Sequence, residues 1–325
     1  MTTELEDRNL DSTWQDSIYR QREELARMLR EPIERVADQL HSMWPDKLRM
    51  EDVLLYSFSS IPYCTSLYVL DMHGVQLTEN IGRTGLIPGH FNRDRSQRPY
   101  MREPVPPWGF LLSDAYISLI AHRPFLTALK CIRRDESVLG YLGADFDLRD
   151  LPVTSQLYKE PEHWRQIKGD PAIRSVLFQQ TRVESPMDRN MDQTLAILEE
   201  MLTERGVFQT QIHFSSSQAT IWMNNDPYRY RILDIDALTD PDICLVYPQL
   251  PYPAEALIPA GRIAAILDTF RILRTTDDNI YLRLATINLY NGMVSLTFSC
   301  DGSHYMPYDE FLRKNSTFWF GDIAA

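Results

Sequence analysis

Three short polar and aromatic signatures between residues 98 and 152 hold the side chains of this sequence that are best suited to chemistry. A guanidinium presents a planar pair of donors to a carboxylate, and a carboxylate pairs with an ammonium group, which an aromatic ring also attracts. These groups suit the grasp of a small polar ligand better than the breaking of bonds. The candidate ligand-binding residues are, in chain order, Arg98, Tyr100, Met101 and Glu103 in the first signature, Ser113, Asp114 and Tyr116 in the second, and Asp145 in the third.

Two of the charged candidates also have structural explanations. Arg98 could bridge its loop to Asp94 or Glu103, because surface ion pairs of this kind are common and weak. Asp145 stands late in an apolar strand pattern, where its carboxylate could cap the turn at Leu148. In either case the charge would be satisfied within the protein and would not meet a ligand.

The second signature has structural alternatives of its own. Ser113 and Asp114 could satisfy backbone groups of their loop. Tyr116 could be a core residue, because tyrosine is a routine strand residue. The ligand-binding interpretation therefore depends on four such residues converging on one loop and one end of a sheet, where a few polar groups can orient a small molecule.

The residues around the signatures predict the antiparallel sheet that would position them. A β-rich run at 66–70 leads into a turn that ends at Gly74, and residues 133–136 are expected to form the turn of a hairpin. Residues 80–109 are rich in Gly, Pro, Asn and Arg, which predicts a long loop with short helical pieces, of the kind that often carries function. Strands are predicted at 66–70, 75–77, 110–118, 125–132 and 138–146.

A long helix is predicted before this sheet. Ser12 and Gln15 have the spacing of a capping box, and the helical pattern continues to about Trp44. Pro32 predicts a kink or a break into two helices near Glu31. Apolar residues form one seam, which either packs on the helix's own domain, the interpretation we favour, or pairs with a second copy of the chain. The seam consists of Leu29, Ile33, Val36, Leu40 and Met43.

The length of 325 residues exceeds one average domain and predicts two. The predicted fold class is α+β: a long N-terminal helix with an antiparallel sheet, followed by a second mixed α+β domain. In the second half Asn291-Gly292 is the strongest hairpin signal. The predicted organisation is an N-terminal helical segment at 1–50 that packs on the first domain, the first domain at 51–152, a connector at 153–189 with some helix at 172–180, and an α+β domain of unknown role at 190–325. Its predicted elements are helices at 191–205 and 258–273 and strands at 208–214, 219–223, 280–289 and 293–299.

Charge and cysteine content argue against several classes of protein. The net charge is -12, from 45 acidic and 33 basic residues, so no nucleic-acid partner is expected. The four cysteines are far apart and lack CxxC spacing, which favours buried thiols over disulfides. No segment approaches the roughly 20 apolar residues of a membrane span, and the acidic start is unlike a secretory signal. A soluble cytoplasmic protein is therefore expected.

Signatures of catalysis and of cofactors are weak. Cys300 and His304 are close in sequence, as a nucleophile and its base could be, but a buried thiol and a turn histidine explain them better. The polar and aromatic residues 224–230 are explained better by a turn whose tyrosines pack on a sheet than by a site. The seven histidines are scattered, and the motifs GxGxxG, GxxxxGK[ST] and GxSxG are absent. Neither a metal nor a cofactor is expected.

The segment from about residue 65 to residue 152 resembles the Cache family of sensor domains, also called PDC sensors, which are built like PAS domains. The resemblance implies a PAS-like antiparallel sheet behind a pocket for a small organic ligand, and a role in signal transduction. The second domain repeats the coarse order of helix and strands, so it could also be PAS-like. Motifs of an output module (GGDEF, EAL, kinase or chemoreceptor coiled coil) are not found, so the downstream partner is unknown. The resembling motifs are Leu70-Asp71-x-x-Gly74, Arg98-Pro99-Tyr100, Ser113-Asp114-Ala115-Tyr116, Thr127-Ala128 and Gly140-Tyr141-Leu142-Gly143-Ala144-Asp145.

Some Cache domains grip an amino acid through an Arg-x-Trp-Tyr run and a later Asp. The matching run here begins at Arg98, with Tyr100 in the place of Trp and Met101 in the place of Tyr, while Glu103 stands where that pattern has Asp. Asp145 matches the later Asp. The resemblance implies a carboxylate at Arg98 and an ammonium at Asp145, so the expected ligand is an amino acid, another small amine or a small carboxylate.

Three hypotheses of function follow. The first is a small-molecule sensor with a Cache-like first domain. The second is a non-catalytic scaffold that forms a homodimer through the helix at 12–44. The third and weakest is an enzyme of the second domain, centred on Cys300 and His304.

Overall fold

The computed structural model describes residues 13–158, 181–300, 302–314 and 318–319. They fall into two compact units that divide after Tyr158. We call residues 13–158 the N-terminal unit and the described residues from 181 onward the C-terminal unit. Each contains one antiparallel sheet with helices, so the predicted α+β class is confirmed. Much of the predicted connector, including the helix predicted at 172–180, lies outside the described residues.

The N-terminal unit places two helices before a seven-stranded sheet. The strand order is β3-β2-β1-β7-β6-β4, with β5 also paired to β6, and all neighbours are antiparallel. The centre of the sheet is the long β6–β7 hairpin, whose turn carries Asp135 in the left-handed region (φ 55°). The elements are α1 (Trp14–Leu40), α2 (Lys47–Ser57), β1 (Ser66–Asp71), β2 (Asn80–Gly82), β3 (Gly85–Ile87), β4 (Phe110–Leu112), β5 (Tyr116–Ile117), β6 (Pro124–Arg134) and β7 (Ser137–Asp147).

The long helix α1 packs its apolar seam on the sheet of its own unit. Leu29, Ile33, Val36 and Leu40 are at most 1% exposed, and α1 contacts β4, β6 and β7. The predicted break at Pro32 is wrong, because α1 runs through it unbroken. Buried seam residues on both sides of the proline hold the two halves on one sheet, which outweighs the lost hydrogen bond. Among the described residues, no helix combines the length and the apolar character that a bilayer span requires.

The start of α1 differs from the predicted one. Ser12 lies outside the described residues. The capping box is formed instead by Thr13, whose hydroxyl accepts from the backbone N–H of Asp16 at 3.3 Å, while the Asp16 carboxylate accepts from the backbone N–H of Thr13 at 2.9 Å. The motif is the predicted one, moved by one residue along the chain.

The segment predicted as one long loop and one long strand is more finely divided. Residues 80–109 contain the short hairpin β2–β3 and one 3₁₀ turn at Pro99–Met101. The strand predicted at 110–118 is two short strands, β4 and β5, on either side of a loop at 113–115. The strand predicted at 75–77 is reduced to isolated bridges at Val75 and Gln76. Runs of three residues are too short for a periodicity of two to reveal.

The C-terminal unit repeats one order of elements twice. Each half consists of a helix followed by three strands, and the strand order β10-β9-β8-β11-β12-β13 places the halves symmetrically about the central antiparallel pair β8–β11. Helices α4 and α6 contact each other and the central strands. The elements are α3 (Pro186–Arg189), α4 (Met191–Glu204), β8 (Val207–His213), β9 (Gln218–Met223), β10 (Asp226–Leu233), α5 (Ile235–Leu238), α6 (Ile263–Thr275), β11 (Leu282–Asn288), β12 (Met293–Phe298), β13 (Ser303–Pro307) and α7 (Tyr308–Arg313).

Both edge strands of this second sheet differ from the prediction. Residues 224–230 were expected to be a turn, but most of them belong to β10, and the turn expected around His304 is strand β13. Tyr228 and Tyr305 on these strands are 96% and 70% exposed. Edge strands bury little side-chain area, so their apolar alternation is weak and sequence patterns miss them.

Candidate functional site

One face of the N-terminal sheet, which we call the floor, presents three rows of side chains across β1, β7 and β6. Antiparallel neighbours lie opposite one another, so each row holds one residue from each strand. Successive rows are two residues apart, or about 7 Å. Row 1 is Ser66, Asp145 and Thr127, row 2 is Tyr68, Gly143 and Leu129, and row 3 is Leu70, Tyr141 and Cys131. Polarity therefore decreases along the strands from row 1 to row 3.

The Asp145 carboxylate in row 1 is held by three hydroxyl groups. Its Oδ1 accepts from the Tyr68 hydroxyl at 2.9 Å and from Thr127 Oγ1 at 2.7 Å, and its Oδ2 accepts from Ser66 Oγ at 3.1 Å. Asp145 is half-buried, and no Lys, Arg or His of the described residues forms an ion pair with it. Neutral donors orient its negative charge, and the buried Arg95 acts on it electrostatically without forming an ion pair.

Tyr116 extends this network to a fourth hydroxyl. Its phenol lies 2.7 Å from Thr127 Oγ1, and because the proton of Thr127 is used on Asp145, Tyr116 is the donor of that bond. Burial, followed by the negative charge of Asp145, raises the pKa of Tyr68 and of Tyr116 well above that of free tyrosine. Both phenols therefore stay protonated and keep donating toward the carboxylate.

Tyr68 in row 2 is completely buried and lies against Gly143. A Cβ atom added at residue 143 would stand 2.4 Å from Cε2 of the Tyr68 ring and 2.7 Å from its Cζ. Only glycine allows this approach of ring to backbone. The absence of a side chain at Gly143 thus sets the position from which the Tyr68 hydroxyl reaches Asp145.

Residues 88–109, which we call the roof loop, bring a buried cation over the floor. Arg95 is 9% exposed, and its guanidinium carbon lies 4.2 Å from the centre of the Tyr68 ring. Its Nε donates to Gln76 Oε1 at 2.6 Å, and its two Nη atoms donate to the Tyr100 hydroxyl at 3.3 Å and to Asn80 Oδ1 at 3.1 Å. Neutral acceptors and a ring face hold this charge, and through them the roof loop is attached to the sheet.

Aromatic and apolar side chains fill the space between the roof loop and the floor. The rings of Tyr100 and Tyr116 are 5.9 Å apart. Tyr68, Leu70, Tyr100 and Leu129 form a buried cluster. Partly buried side chains pack around it, and we call this region, with the half-buried Asp145 at its border, the Asp145 cleft; the side chains are Met101, Val105, Leu111, Tyr116 and Tyr141.

The structure brings several of the sequence-predicted residues together at this cleft. Tyr100, Met101 and Tyr116 pack in or around the cluster, and Asp145 bonds to it through Tyr68. Arg98 stands at the start of the 3₁₀ turn that carries Tyr100, is half-buried, and makes no side-chain hydrogen bond or ion pair with the described residues.

Three other predicted residues take different places. Glu103 is exposed on the roof loop. Asp114 is exposed and pairs with Arg22 of α1, the helix on the opposite side of the sheet from the floor. The Ser113 hydroxyl donates to the carbonyl of Asp114 at 2.8 Å and accepts from the N–H of Thr127 at 3.0 Å, so it satisfies backbone groups. The second signature contributes Tyr116 alone to the cleft.

The sequence reasoning missed five residues of the site. Arg95 lies in a short run with Arg93 and Arg98, Thr127 belongs to a motif of the resemblance but was not named as a site residue, and the other three are strand or loop residues without a distinctive motif. A usable signal existed in β1, where Ser66 and Tyr68 occupy the same face of an apolar strand. The missed residues are Ser66, Tyr68, Gln76, Arg95 and Thr127.

His90 of the roof loop lies beside two arginine side chains. Its ring Nδ1 lies 3.5 Å from the guanidinium groups of Arg93 and Arg95. Burial, followed by the charges of these two arginines, lowers the pKa of His90 below 6.5, although the Glu79 carboxylate acts in the opposite direction. The folded unit therefore favours the neutral ring, and the unfolded chain takes up a proton first as pH falls.

We expect the stability of the N-terminal unit to fall as pH drops below 6.5, and to fall less in His90→Gln. Hydrogen exchange of the roof loop between pH 7.5 and 5.5, corrected for the intrinsic exchange rate, measures this. His73→Gln is the matched control, since His73 is exposed on the turn after β1. Equal pH dependence of the His90→Gln variant and the wild type would show that His90 does not contribute.

The two catalytic candidates of the C-terminal unit, Cys300 and His304, gain no support from their surroundings. Cys300 is exposed after β12, which corrects the expected buried thiol, whereas Cys64, Cys131 and Cys244 are buried as expected. His304 lies on β13, with its ring 6.0 Å from that of Phe298. Within the described residues no group of three His, Cys, Asp or Glu side chains could hold a metal ion.

No family model matches the sequence, and no curated protein matches it. Solved structures of receptor domains are similar to parts of the chain. The sensory domain of the Campylobacter jejuni chemoreceptor Tlp3 with isoleucine bound has a TM-score of 0.33 and 16% identity, over 41% of this chain and 55% of that one. The ligand-binding domain of the Pseudomonas fluorescens chemoreceptor CtaA in complex with L-isoleucine has a TM-score of 0.30 and 18% identity, over 41% and 52%.

A third similar structure is an extracellular ligand binding receptor from Desulfohalobium retbaense, with a TM-score of 0.33 and 13% identity, over 43% of this chain and 26% of that one. The chain spans about half the length of the two chemoreceptor domains.

Proposed function

We propose that the N-terminal unit is a sensor domain that binds a small amine at Asp145, and that the ligand is most specifically an α-amino acid. The observation that carries the proposal is the Asp145 carboxylate. Three hydroxyls fix its position, while no Lys, Arg or His of the described residues forms an ion pair with it. A protein that needed this carboxylate only for its fold would gain more from a positive partner, because a half-buried charge is costly without one.

The surroundings of Asp145 suit an ammonium group. The hydroxyls of Ser66, Tyr68 and Thr127 use part of the acceptor capacity of the two carboxylate oxygens, which leaves lone pairs on the open side. The faces of Tyr100 and Tyr116 lie nearby, and aromatic faces attract cations. An ammonium in the Asp145 cleft would therefore meet one full negative charge and aromatic faces.

Arg98 supports the amino-acid form of the proposal. Its guanidinium has no side-chain partner among the described residues and lies on the roof loop, two residues before Tyr100. A guanidinium binds a carboxylate through two parallel hydrogen bonds. The other nearby arginine, Arg95, already uses its Nε and both Nη atoms on protein acceptors. A ligand carboxylate would thus be bound by Arg98.

Asp145→Asn should weaken the binding of amines by roughly 10- to 100-fold, because a charged hydrogen bond contributes about 1.5–3 kcal/mol. Isothermal titration of the full chain with amino acids and simple amines measures the loss. A thermal-shift screen finds the first ligand, since a compound at 100 times its dissociation constant stabilises the protein by about 2.7 kcal/mol. Asp114→Asn is the matched control, because Asp114 is exposed and pairs with Arg22; it should bind like the wild type.

Arg98→Ala separates the two ligand classes. It should lower the affinity for α-amino acids and leave the affinity for simple amines nearly unchanged. The proposal is wrong if no amine binds, or if Asp145→Asn and Asp114→Asn bind equally well. If the Arg98→Ala variant no longer binds simple amines, Arg98 supports the fold of the cleft and does not hold a carboxylate.

A further inference from the structure

We infer that residues 96–108, which we call the strap, are a lid over the Asp145 cleft. The strap lifts to admit the ligand, and a ligand that carries a carboxylate holds it down through Arg98. A simple amine binds without holding the strap, so the ligands that close the site are the α-amino acids. This inference rests on the proposed function, since it takes the ammonium at Asp145 as the fixed end of the ligand.

The space beneath the strap is filled by side chains of the protein itself. Tyr68, Leu70 and Leu129 of the floor are at most 1% exposed, and Tyr100 of the strap is 2% exposed. The Tyr100 ring packs directly on this part of the floor. A ligand that lies between Asp145 and the strap therefore needs the strap to move first.

The backbone of the strap is attached to the sheet at its two ends. Before the strap, the N–H of Arg95 donates to the carbonyl of Gly74 at 2.8 Å, and after it the carbonyl of Gly109 accepts from the N–H of Cys131 at 2.9 Å. Between these points the backbone groups bond, among the described residues, to one another, to nearby residues of the roof loop and to the side chain of Arg133. A segment with so few bonds to its surroundings opens more easily than the sheet below it.

One buried side chain pins the middle of the strap. Tyr100 is the only buried residue of 96–108, while Met101 and Val105 pack beside it and stay partly exposed. The Tyr100 hydroxyl accepts from Arg95 at 3.3 Å. Gly109, in the left-handed region at φ 76°, lets the chain turn where the strap ends. Prolines fix the backbone between the ends, so the strap is stiff and moves as a unit; they are Pro99, Pro104, Pro106 and Pro107.

Arg98 gives a ligand its hold on the strap. It is half-buried, stands two residues before Tyr100, and makes no side-chain hydrogen bond or ion pair with the described residues. Asp145 belongs to β7 of the sheet. An α-amino acid bound by both residues bridges the strap and the sheet, and a ligand that makes a contact only in the closed state shifts the strap toward that state. An amine at Asp145 makes no such bridge.

Cys131 is a natural reporter of the position of the strap. It lies in row 3 of the floor, is 7% exposed, and a Cβ atom added at Gly109 would stand 3.3 Å from its Cβ. Lifting the strap uncovers this thiol. Cys64, buried before β1, reports opening of the whole unit, and the exposed Cys300 reports a free thiol. Alkylation by N-ethylmaleimide, followed at each cysteine by mass spectrometry, therefore measures strap opening in the full chain.

In the full chain without ligand, Cys131 should react at least roughly tenfold faster than Cys64, because lifting the strap breaks fewer contacts than opening the unit. Equal rates at the two cysteines would show that the strap opens only together with the unit. That result would overturn the inference without any ligand.

Ligand pairs test the role of the carboxylate. The standard amino acid that binds most tightly should, at saturation, slow the alkylation of Cys131 roughly tenfold, since a guanidinium and a carboxylate form two charged hydrogen bonds. The amine that lacks only the α-carboxylate of that amino acid should change the rate by less than about twofold, because it contacts the sheet alone. If both slow Cys131 equally, the carboxylate does not hold the strap and the inference is wrong.

Two variants separate closure of the strap from direct shielding of the thiol by the ligand. With Arg98→Ala, the saturating amino acid should no longer slow the alkylation of Cys131. Arg102→Ala, the same change at an exposed residue of the strap, should keep the slowing. Slowing that persists in Arg98→Ala would mean that the ligand itself covers Cys131, which contradicts the inference.

The outcomes also separate this inference from the proposed function. If the amino acid binds, with the loss expected in Asp145→Asn, but leaves the alkylation of Cys131 unchanged, the proposed function stands and the inference fails. If no amino acid or amine binds, the proposed function fails and the closing role of the ligand with it. The comparison of Cys131 with Cys64 in the free chain still decides whether the strap opens.

Discussion

Arg274→Met should lower the free energy of unfolding of the C-terminal unit by up to about 3–5 kcal/mol, since it removes the two short hydrogen bonds that the buried Asp188 carboxylate receives and leaves it only the longer ion pair with Arg182, at 3.7 Å. Arg274 on α6 has no exposed surface. Its Nε and one Nη donate to the two oxygens of Asp188, each at 2.8 Å, and its other Nη donates to the carbonyl of Leu282 at 3.0 Å. One side chain thus joins α3, α6 and β11.

The pKa of the Asp188 carboxyl determines how the loss of stability in Arg274→Met changes with pH. Burial alone would raise it, but hydrogen bonds from Arg274 and from the N–H of Ser185 lower it below its ordinary value. In the wild type this stabilisation is present above pH 3.8 and is lost as pH falls through the folded pKa. Without Arg274, burial is opposed only by Ser185 and Arg182, so the pKa of the Asp188 carboxyl in the folded unit rises above its wild-type value. The stability deficit of the variant should therefore narrow as pH falls toward the range in which this carboxyl takes up a proton.

Hydrogen exchange of peptides from α6 and β11 in the full chain measures this loss in the C-terminal unit alone. Arg271→Met is the control on the same helix: Arg271 is 42% exposed at its side chain, and its ion pairs with Asp192 and Asp268 should contribute under about 1 kcal/mol. The double change Arg274→Met with Asp188→Leu should recover much of the stability. If both arginine variants behave alike, the buried pair is not what joins these elements.

The fold of the first half was predictable wherever apolar periodicity was strong. The strands at 66–70, 125–132 and 138–146 and the helix that begins near residue 14 are found within a few residues of the predicted ends. Elements of two or three residues were not predictable, because β2, β3 and β5 hold their places through pairing with longer neighbours and carry too little pattern of their own.

The composition of the site depends on register, which the sequence alone did not determine. The β6–β7 hairpin carries an irregularity between Ile132 and Arg133, which shifts the pairing by one residue. Counting from the turn without that shift would place Asp145 opposite Leu126 and away from Thr127. A shift of one residue moves every side chain of a strand to the other face. The hydroxyl partners of Asp145 could therefore not be identified before the structure.

The roles of the arginines were equally hidden. Arg93, Arg95 and Arg98 lie within six residues of one loop, and their local sequence does not distinguish them. The structure buries Arg95 on the Tyr68 ring, leaves Arg93 exposed and leaves Arg98 half-buried. Contacts with Gln76 and Asn80, which are distant in sequence, decide this difference. The prediction from the motif selected the arginine that has no side-chain hydrogen bond or ion pair among the described residues, and missed the one that holds the roof loop.

Gly143→Ala should damage both the stability and the binding of the N-terminal unit. The new methyl group would stand 2.4 Å from the Tyr68 ring, which has no exposed surface through which to move away. Overpacking of this kind costs about 1–3 kcal/mol. Tyr68 also donates to Asp145 and supports Arg95, so displacing its ring disturbs the carboxylate and the roof loop together. We expect amine affinity to fall by roughly tenfold or more.

Gly82→Ala is a control in the same sheet. A Cβ at residue 82 would meet Cδ1 of Ile87 at 2.8 Å, but that atom is the end of a partly exposed side chain that can move. This variant should match the wild type or exceed it in stability, because alanine suits a strand better than glycine. Hydrogen exchange of β1 peptides and titration with an amine compare the two. If Gly143→Ala is as harmless as Gly82→Ala in both measurements, the close packing of Tyr68 on the backbone does not position Asp145. If Gly143→Ala loses stability but keeps its full affinity for the amine, Gly143 contributes to the fold and not to the position of Asp145.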